Sequence, residues 1–136
     1  MKIIISFVLT LFIVSCTQKN REKSSVDETF QVFLNKFNND SIFQKSRVKF
    51  PLSVVEMDNE NYSEVKRRIK RKDYIIIDLK EDRVIQKREG YTQKIELKND
   101  KATIEIRGIE NGIMEDYYFE KINSKWILVG WNDSST

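Results

Sequence analysis

The hydrophobic period of this chain changes once, and that change limits what it can fold into. Val26, Phe30, Phe33, Leu34 and Phe37 recur at helical spacing, with Asp27, Gln31, Asn35 and Lys36 on the other side. Such a stripe belongs against a core, because three aromatic rings on one helix face must leave water. Further on, apolar and polar residues alternate with the period of two that a half-buried strand requires. One helical face followed by several one-sided strands predicts an α+β domain, with N-terminal helices packed on an antiparallel sheet.

The boundaries follow from local chemistry. Ser25-Val26-Asp27-Glu28 has the spacing of a capping box, so a helix is predicted to begin there. Asn38-Asn39-Asp40-Ser41 ends it and caps a second, short helix reaching about Ser46. Arg47 to Leu52 alternates as a strand, and Pro51, the only proline, predicts that this strand lies at an edge or ends there. Glu56 to Asn61 reads as a loop. Tyr74-Ile75-Ile76-Ile77-Asp78-Leu79 is a continuous apolar run, the pattern of a strand covered on both sides. Four more strands are predicted at Tyr91–Lys98, Ala102–Arg107, Ile113–Ile122 and Lys125–Trp131. Asn99-Asp100, Glu110-Asn111-Gly112 and Asn123-Ser124 join them, so the C-terminal half is a meander. The last strand is apolar at both parities, which requires a cover on its second face: a ligand-lined concavity or a second subunit.

The N-terminus predicts export. Lys2 precedes an apolar run, Ile3 to Val14, that is shorter than the roughly 20 residues a bilayer-spanning helix needs. Its end, Ile13-Val14-Ser15-Cys16, resembles the lipobox of bacterial lipoproteins, which implies cleavage before Cys16 and attachment of lipid to that cysteine. The division is then residues 1–15 as signal peptide, 16–24 as lipidated Cys16 and flexible tether, and 25–136 as one domain. Cys16 is the only cysteine, so the domain has no disulfide. Two or three acyl chains on one residue hold a protein on a membrane almost indefinitely. Thr17 stands where aspartate resembles an inner-membrane retention signal, and the residues after it lack an acidic surface-export cluster. The expected address is the cell envelope, on the outer membrane and facing the periplasm.

Composition excludes several chemistries. With 24 Lys+Arg against 21 Asp+Glu, the charge is too nearly balanced for a nucleic-acid binder. Histidine is absent, which removes the commonest general base, the histidine-activated nucleophiles and most zinc and non-haem iron sites. No catalytic residue, metal site or cofactor is expected. One charge anomaly remains in Lys66-Arg67-Arg68-Ile69-Lys70-Arg71-Lys72: a solvated helix or strand face, or, through Arg67, Arg68 and Arg71, a patch for an anionic partner such as lipid headgroups.

Phe30-x-x-Phe33-Leu34-x-x-Phe37, then Asp40-Ser41-x-Phe43-Gln44-x-Ser46-Arg47-Val48-x-Phe50-Pro51-Leu52, and finally Tyr117-Tyr118-Phe119-Glu120-x-x-Asn123-x-Lys125-Trp126 resemble small lipoproteins of Gram-negative gut anaerobes. The architecture is similar to the nuclear-transport-factor-like (cystatin-like) superfamily, which implies a curved sheet wrapped around a helix and a pocket. Tyr74, Tyr91, Tyr117, Trp126 and Trp131 are the candidate pocket or interface residues. The function expected is a non-enzymatic, membrane-anchored binding module for a small apolar ligand, a peptide or a protein partner, with homodimerisation through the open sheet face. The alternative is a carboxylate-dependent isomerase or hydrolase, as in ketosteroid-isomerase-like relatives, drawing on Asp78, Asp116, Tyr74, Tyr91 and Tyr117.

Overall fold

The computed structural model describes residues 27–80 and 90–136. The leader, Cys16, the tether and Ser25 lie outside them. Two helices, α1 (Phe30–Asn39) and α2 (Ser41–Ser46), precede six strands: β1 (Val48–Asp58), β2 (Ser63–Ile69), β3 (Tyr91–Lys98), β4 (Lys101–Gly108), β5 (Met114–Ile122) and β6 (Lys125–Asp133). The strands form one sheet in the order β2-β1-β6-β5-β4-β3. Every neighbouring pair is antiparallel except β1 and β6, which run parallel, so the sheet is mixed where the sequence predicted a purely antiparallel one. The four C-terminal strands are the predicted meander. Asn123 and Ser124 both take positive φ, 49° and 60°, as a tight hairpin with right-twisted strands requires.

α1 buries Phe30, Phe33, Leu34 and Phe37, the predicted stripe. The rings interlock with the sheet: Phe30 stands edge-on to Phe119 and Trp126 at centroid distances of 5.4 and 5.0 Å, and Phe37 to Phe119 at 5.7 Å. Edge-to-face contacts of this kind add about 0.5–1.5 kcal/mol each beyond area burial. The helix begins later than predicted. Thr29 is its cap, accepting from the Val32 N–H, and Glu28 has another task. Its carboxylate grips Arg47 with two bonds of 2.9 Å and accepts the Trp126 N–H at 3.1 Å, while its carbonyl accepts from the Trp126 indole at 3.0 Å. This largely buried, bidentate pair ties the entry to α1 onto the start of β6.

Three strand expectations are corrected. β1 neither ends at Pro51 nor forms an edge; it continues to Asp58 between β2 and β6. The proline fits because the β1–β6 register breaks between Val48 and Ser53, leaving no ladder partner there for Pro51. The acidic stretch predicted as a loop from Glu56 supplies the end of β1, and the turn itself is organised by the Asp58 carboxylate, which accepts from Glu60 N–H and the Asn61 amide. The basic run splits into β2 and a 3-10 turn at Arg71–Asp73.

The third correction concerns Tyr74–Leu79, which joins no sheet. It is an extended strap whose backbone is held by side-chain amides. The Gln44 amide accepts from Ile77 N–H at 2.8 Å and donates to Ile77 C=O at 2.7 Å; the Asn38 amide accepts from Leu79 N–H at 3.1 Å and donates to Leu79 C=O at 2.9 Å. Residues 77 and 79 therefore find the paired bonds of a ladder on side chains of the two helices. Gln44 is fully buried and also donates to Phe37 C=O and accepts from the Tyr74 hydroxyl, so all four of its bonding positions are used.

Replacing Gln44 with leucine keeps the volume and strands the Tyr74 hydroxyl and both polar groups of Ile77. At about 1–3 kcal/mol for each unsatisfied buried group, Gln44→Leu is expected to cost roughly 3 kcal/mol or more in denaturant unfolding. A loss below about 1 kcal/mol would show that the strap is held by something else.

Candidate functional site

The pairing registers divide the sheet into two faces. Val54, Trp131, Tyr117 and Ile104 are cross-strand partners on the helix-covered face, together with Leu128, Phe119 and Ala102. The concave space where the sequence allowed a ligand is occupied by Phe30, Phe33, Phe37, Phe119 and Leu128, all essentially solvent-free. Trp126 is part of that packed core and lines no open pocket.

The other candidates separate. Tyr117 and Trp131 meet, with ring centroids 5.8 Å apart. Tyr74 is buried, packs edge-on to Phe50 at 5.4 Å and donates to Gln44. Tyr91, on edge strand β3, donates to the Lys80 carbonyl at 3.0 Å and so touches the end of the strap. Arg67, Arg68 and Arg71 are not one patch. Arg67 pairs with Val54 in the register and bonds Glu56 at 2.8 Å, whereas Arg68, its neighbour along the strand, projects to the opposite face. Arg71 lies over the Phe50 ring at 4.7 Å and donates to Lys45 C=O.

Of the acids considered, Asp116 is on the outer face, paired with Arg107 at 2.8 Å, and Asp78 is exposed beside Lys80. The carboxylate that reaches the tyrosines is Glu115, which sequence reading passed over. The signal was present: residues two apart on a strand share a face, so Glu115 accompanies Tyr117 inward. The Tyr117 hydroxyl donates to Glu115 at 2.6 Å. Burial raises Glu115 above its ordinary 4.5 and nearby Asp133 adds to that, with the Tyr117 bond partly offsetting both. Burial, and then the adjacent Glu115, push the Tyr117 phenol far above its usual value, and burial does the same to Tyr74. The arrangement can hold a proton near a buried phenol. Among the described residues, no three Cys, Asp or Glu side chains cluster to hold a metal. Nor is any helix there long and apolar enough to cross a membrane.

On the outer face, the β3–β5 half is charged, carrying Lys94 with Glu96, Arg107 with Asp116, and Lys101 with Glu120. The β1–β6 half is different. The β5–β6 register slips between Tyr118 and Phe119, which bulges β6 at Val129. Two open hollows adjoin there. One, of about 290 Å³, is lined by Ser53, Val55, Tyr118, Val129, Gly130, Trp131 and Asn132. The second, of about 260 Å³, shares Tyr118 and Val129 and continues along β4 and β5. Gly130 opens the floor: a Cβ there would stand 3.0 Å from the Ser53 carbonyl.

A mixed six-stranded sheet with two helices on its concave face defines an α+β domain of NTF2-like, that is nuclear-transport-factor-like, fold. An NTF2-like protein from Bacteroides fragilis superposes with a TM-score of 0.62 at 22% identity, over 82% of this chain and 49% of that one. The chain thus spans about half the length of that protein. A protein from Bacteroides uniformis (TM-score 0.59, 24% identity, 77% and 76% of the two chains) and a cystatin-like protein from Bacteroides caccae (0.58, 28%, 78% and 76%) are similar throughout the domain. A family model described only as "-like" matches residues 28–135, and the chain belongs to that family. No curated protein matches it.

Because Glu115 has a raised pKa in the fold, the folded state holds its proton more tightly than the unfolded chain does. The charged form therefore destabilises the fold as pH rises from 4.5 through the raised value. Glu115→Gln, which can still accept from Tyr117, is expected to raise the unfolding midpoint at pH 7 relative to the parent and to leave it little changed below pH 4.5. Equal shifts at both pH values would contradict the raised carboxyl.

Proposed function

We propose that the chain is a lipid-anchored envelope protein whose domain is a non-enzymatic binding module, and that it binds through the outer sheet face. The observation that carries this reading is the trough around Tyr118, Val129 and Gly130, next to a concave face already filled by its own rings. Filling the interior withdraws support from a small apolar ligand inside the cone. The trough supplies the second apolar side of β6 that the sequence requires to be covered.

The occupant proposed is a protein surface, and first of all a second copy. An isologous contact sets one apolar strip, Val55, Ile127 and Val129, against its twin, with the charged β3–β5 halves at the rim. The Glu115–Tyr117 pair favours a second reading, a carboxylate-dependent isomerase or hydrolase of the same fold with Glu115 as base. The binding reading leads because the Tyr117 hydroxyl is already given to Glu115 and so cannot serve as a free oxyanion donor.

Two measurements test this. In a Gram-negative host fed labelled palmitate, the parent chain is expected to take up label and Cys16→Ala to take up none; an unlabelled parent would remove the anchor. In sedimentation, the domain from Ser25 onward is expected to be dimeric and Val129→Glu monomeric and still cooperatively folded. A parent that stays monomeric at high concentration rejects the second copy as occupant.

A further inference from the structure

A different surface lies where α2 meets the strap. Ile42 on α2 is 83% exposed and Ile76 on the strap is 47% exposed. Both line one open groove of about 410 Å³ together with Ser41, Lys45, Ser46 and Arg71. A single exposed isoleucine is ordinary. Here two of them, from separate segments, flank the same groove, and Ile75 beside them is 83% exposed as well.

The rim is cationic. Arg71 donates to Lys45 C=O at 3.0 Å and lies over the Phe50 ring at 4.7 Å, which sets its guanidinium beside the groove. Lys45 sits in the last turn of α2. Of residues 66–72, Arg71 is the one that lines the groove. Of the neighbouring acids, Asp40 is engaged in capping α2 by accepting from Phe43 N–H, Glu56 is engaged by Arg67, and Asp73 adjoins Arg71 in the 3-10 turn.

Protruding aliphatic side chains inside a cationic rim are the chemistry of a surface that rests on an anionic bilayer. The apolar tips enter the headgroup–acyl boundary while the cations meet phosphates. A rigid protein partner would need a matched pocket for each isoleucine, whereas a fluid interface accommodates them as they stand. We infer that the α2–strap face, Ile42 and Ile76 with Lys45 and Arg71, is a docking surface for an anionic lipid bilayer. It would hold the domain in one orientation on the membrane and leave the outer sheet face free. This rests on the groove and not on the lipid at Cys16, and the two ideas fail separately.

The test is hydrogen exchange on the full chain mixed with vesicles of phosphatidylethanolamine and phosphatidylglycerol, and with vesicles of phosphatidylcholine alone. Amides of 41–46 and 74–76 are expected to gain protection on the anionic vesicles only, with the β3–β4 turn unchanged. Lys45→Gln is expected to lower that gain about fivefold, and Ile42→Ser with Ile76→Ser to abolish it, both with unfolding midpoints like the parent. Equal exchange on the two vesicle types overturns the inference, as does failure to associate with the anionic ones. The same protection from polyglutamate in solution would also overturn it, assigning the groove to an acidic protein. Loss of the anchor through Cys16→Ala, with the anionic-specific protection retained, separates this surface from the lipid.

Discussion

Gln44 is the one polar side chain sealed completely inside the described part of the fold, and the arrangement of the N-terminal half depends on it. Its amide uses both donors and both acceptor positions, on Phe37 of α1, on Tyr74 and on Ile77 of the strap. An amide in a low-dielectric interior is costly unless satisfied, and once satisfied it permits few alternatives. The bonds to Ile77 fix which strap residue stands opposite α2, and Asn38 repeats the device two residues later at Leu79. With that register set, Tyr74 and Leu79 turn into the core while Ile75 and Ile76 are left outside.

The consequences reach the interior and the groove beside α2. On the inside, the strap and α1 complete a core in which the Phe30, Phe33, Phe37, Phe119 and Trp126 rings touch one another, so no ligand-sized room remains among them. On the outside, the same register presents Ile76 to the groove beside α2. The sheet contributes independently. The bulge at Val129 and the absent side chain at Gly130 shape a trough on the face that the helices do not cover. Among the described residues, the aromatic core is packed while the outer sheet face and the α2–strap edge carry open hollows.

Much of this was legible in the chain because it is written in local periodicity. The Phe stripe of α1, the strands from Tyr91 to the end and the turns at Asn99, Glu110 and Asn123 all follow from spacing and turn chemistry. Tyr74–Leu79 was misread as a strand because its composition is that of a doubly covered strand; its partners, Gln44 and Asn38, lie far away in sequence and mimic a ladder with side chains. Pro51 suggested a strand end because a register break that frees its position is a property of two strands together. Glu28 matched a capping box, yet its partner is Arg47. The candidate site divides in the same way. Tyr117 and Trp131 stand among five candidate residues with no pairing assigned from sequence, and their rings meet only through the β5–β6 register, whereas Glu115 needed only the period of two to be followed one step further. Adjacency groups the three arginines, whereas strand alternation separates Arg67 from Arg68 and the 3-10 turn carries Arg71 off the strand.

The central claim is that side-chain amides hold the strap as a ladder would. Native-state hydrogen exchange of individual amides tests it most directly, because the Ile77 and Leu79 N–H groups are bonded and their neighbours at Ile75 and Ile76 are exposed. The account predicts that Ile77 and Leu79 exchange only through openings near the global unfolding free energy, as slowly as the amides of β5 and β6. Fast exchange at both, at rates like those of Ile75 and Ile76, would contradict it.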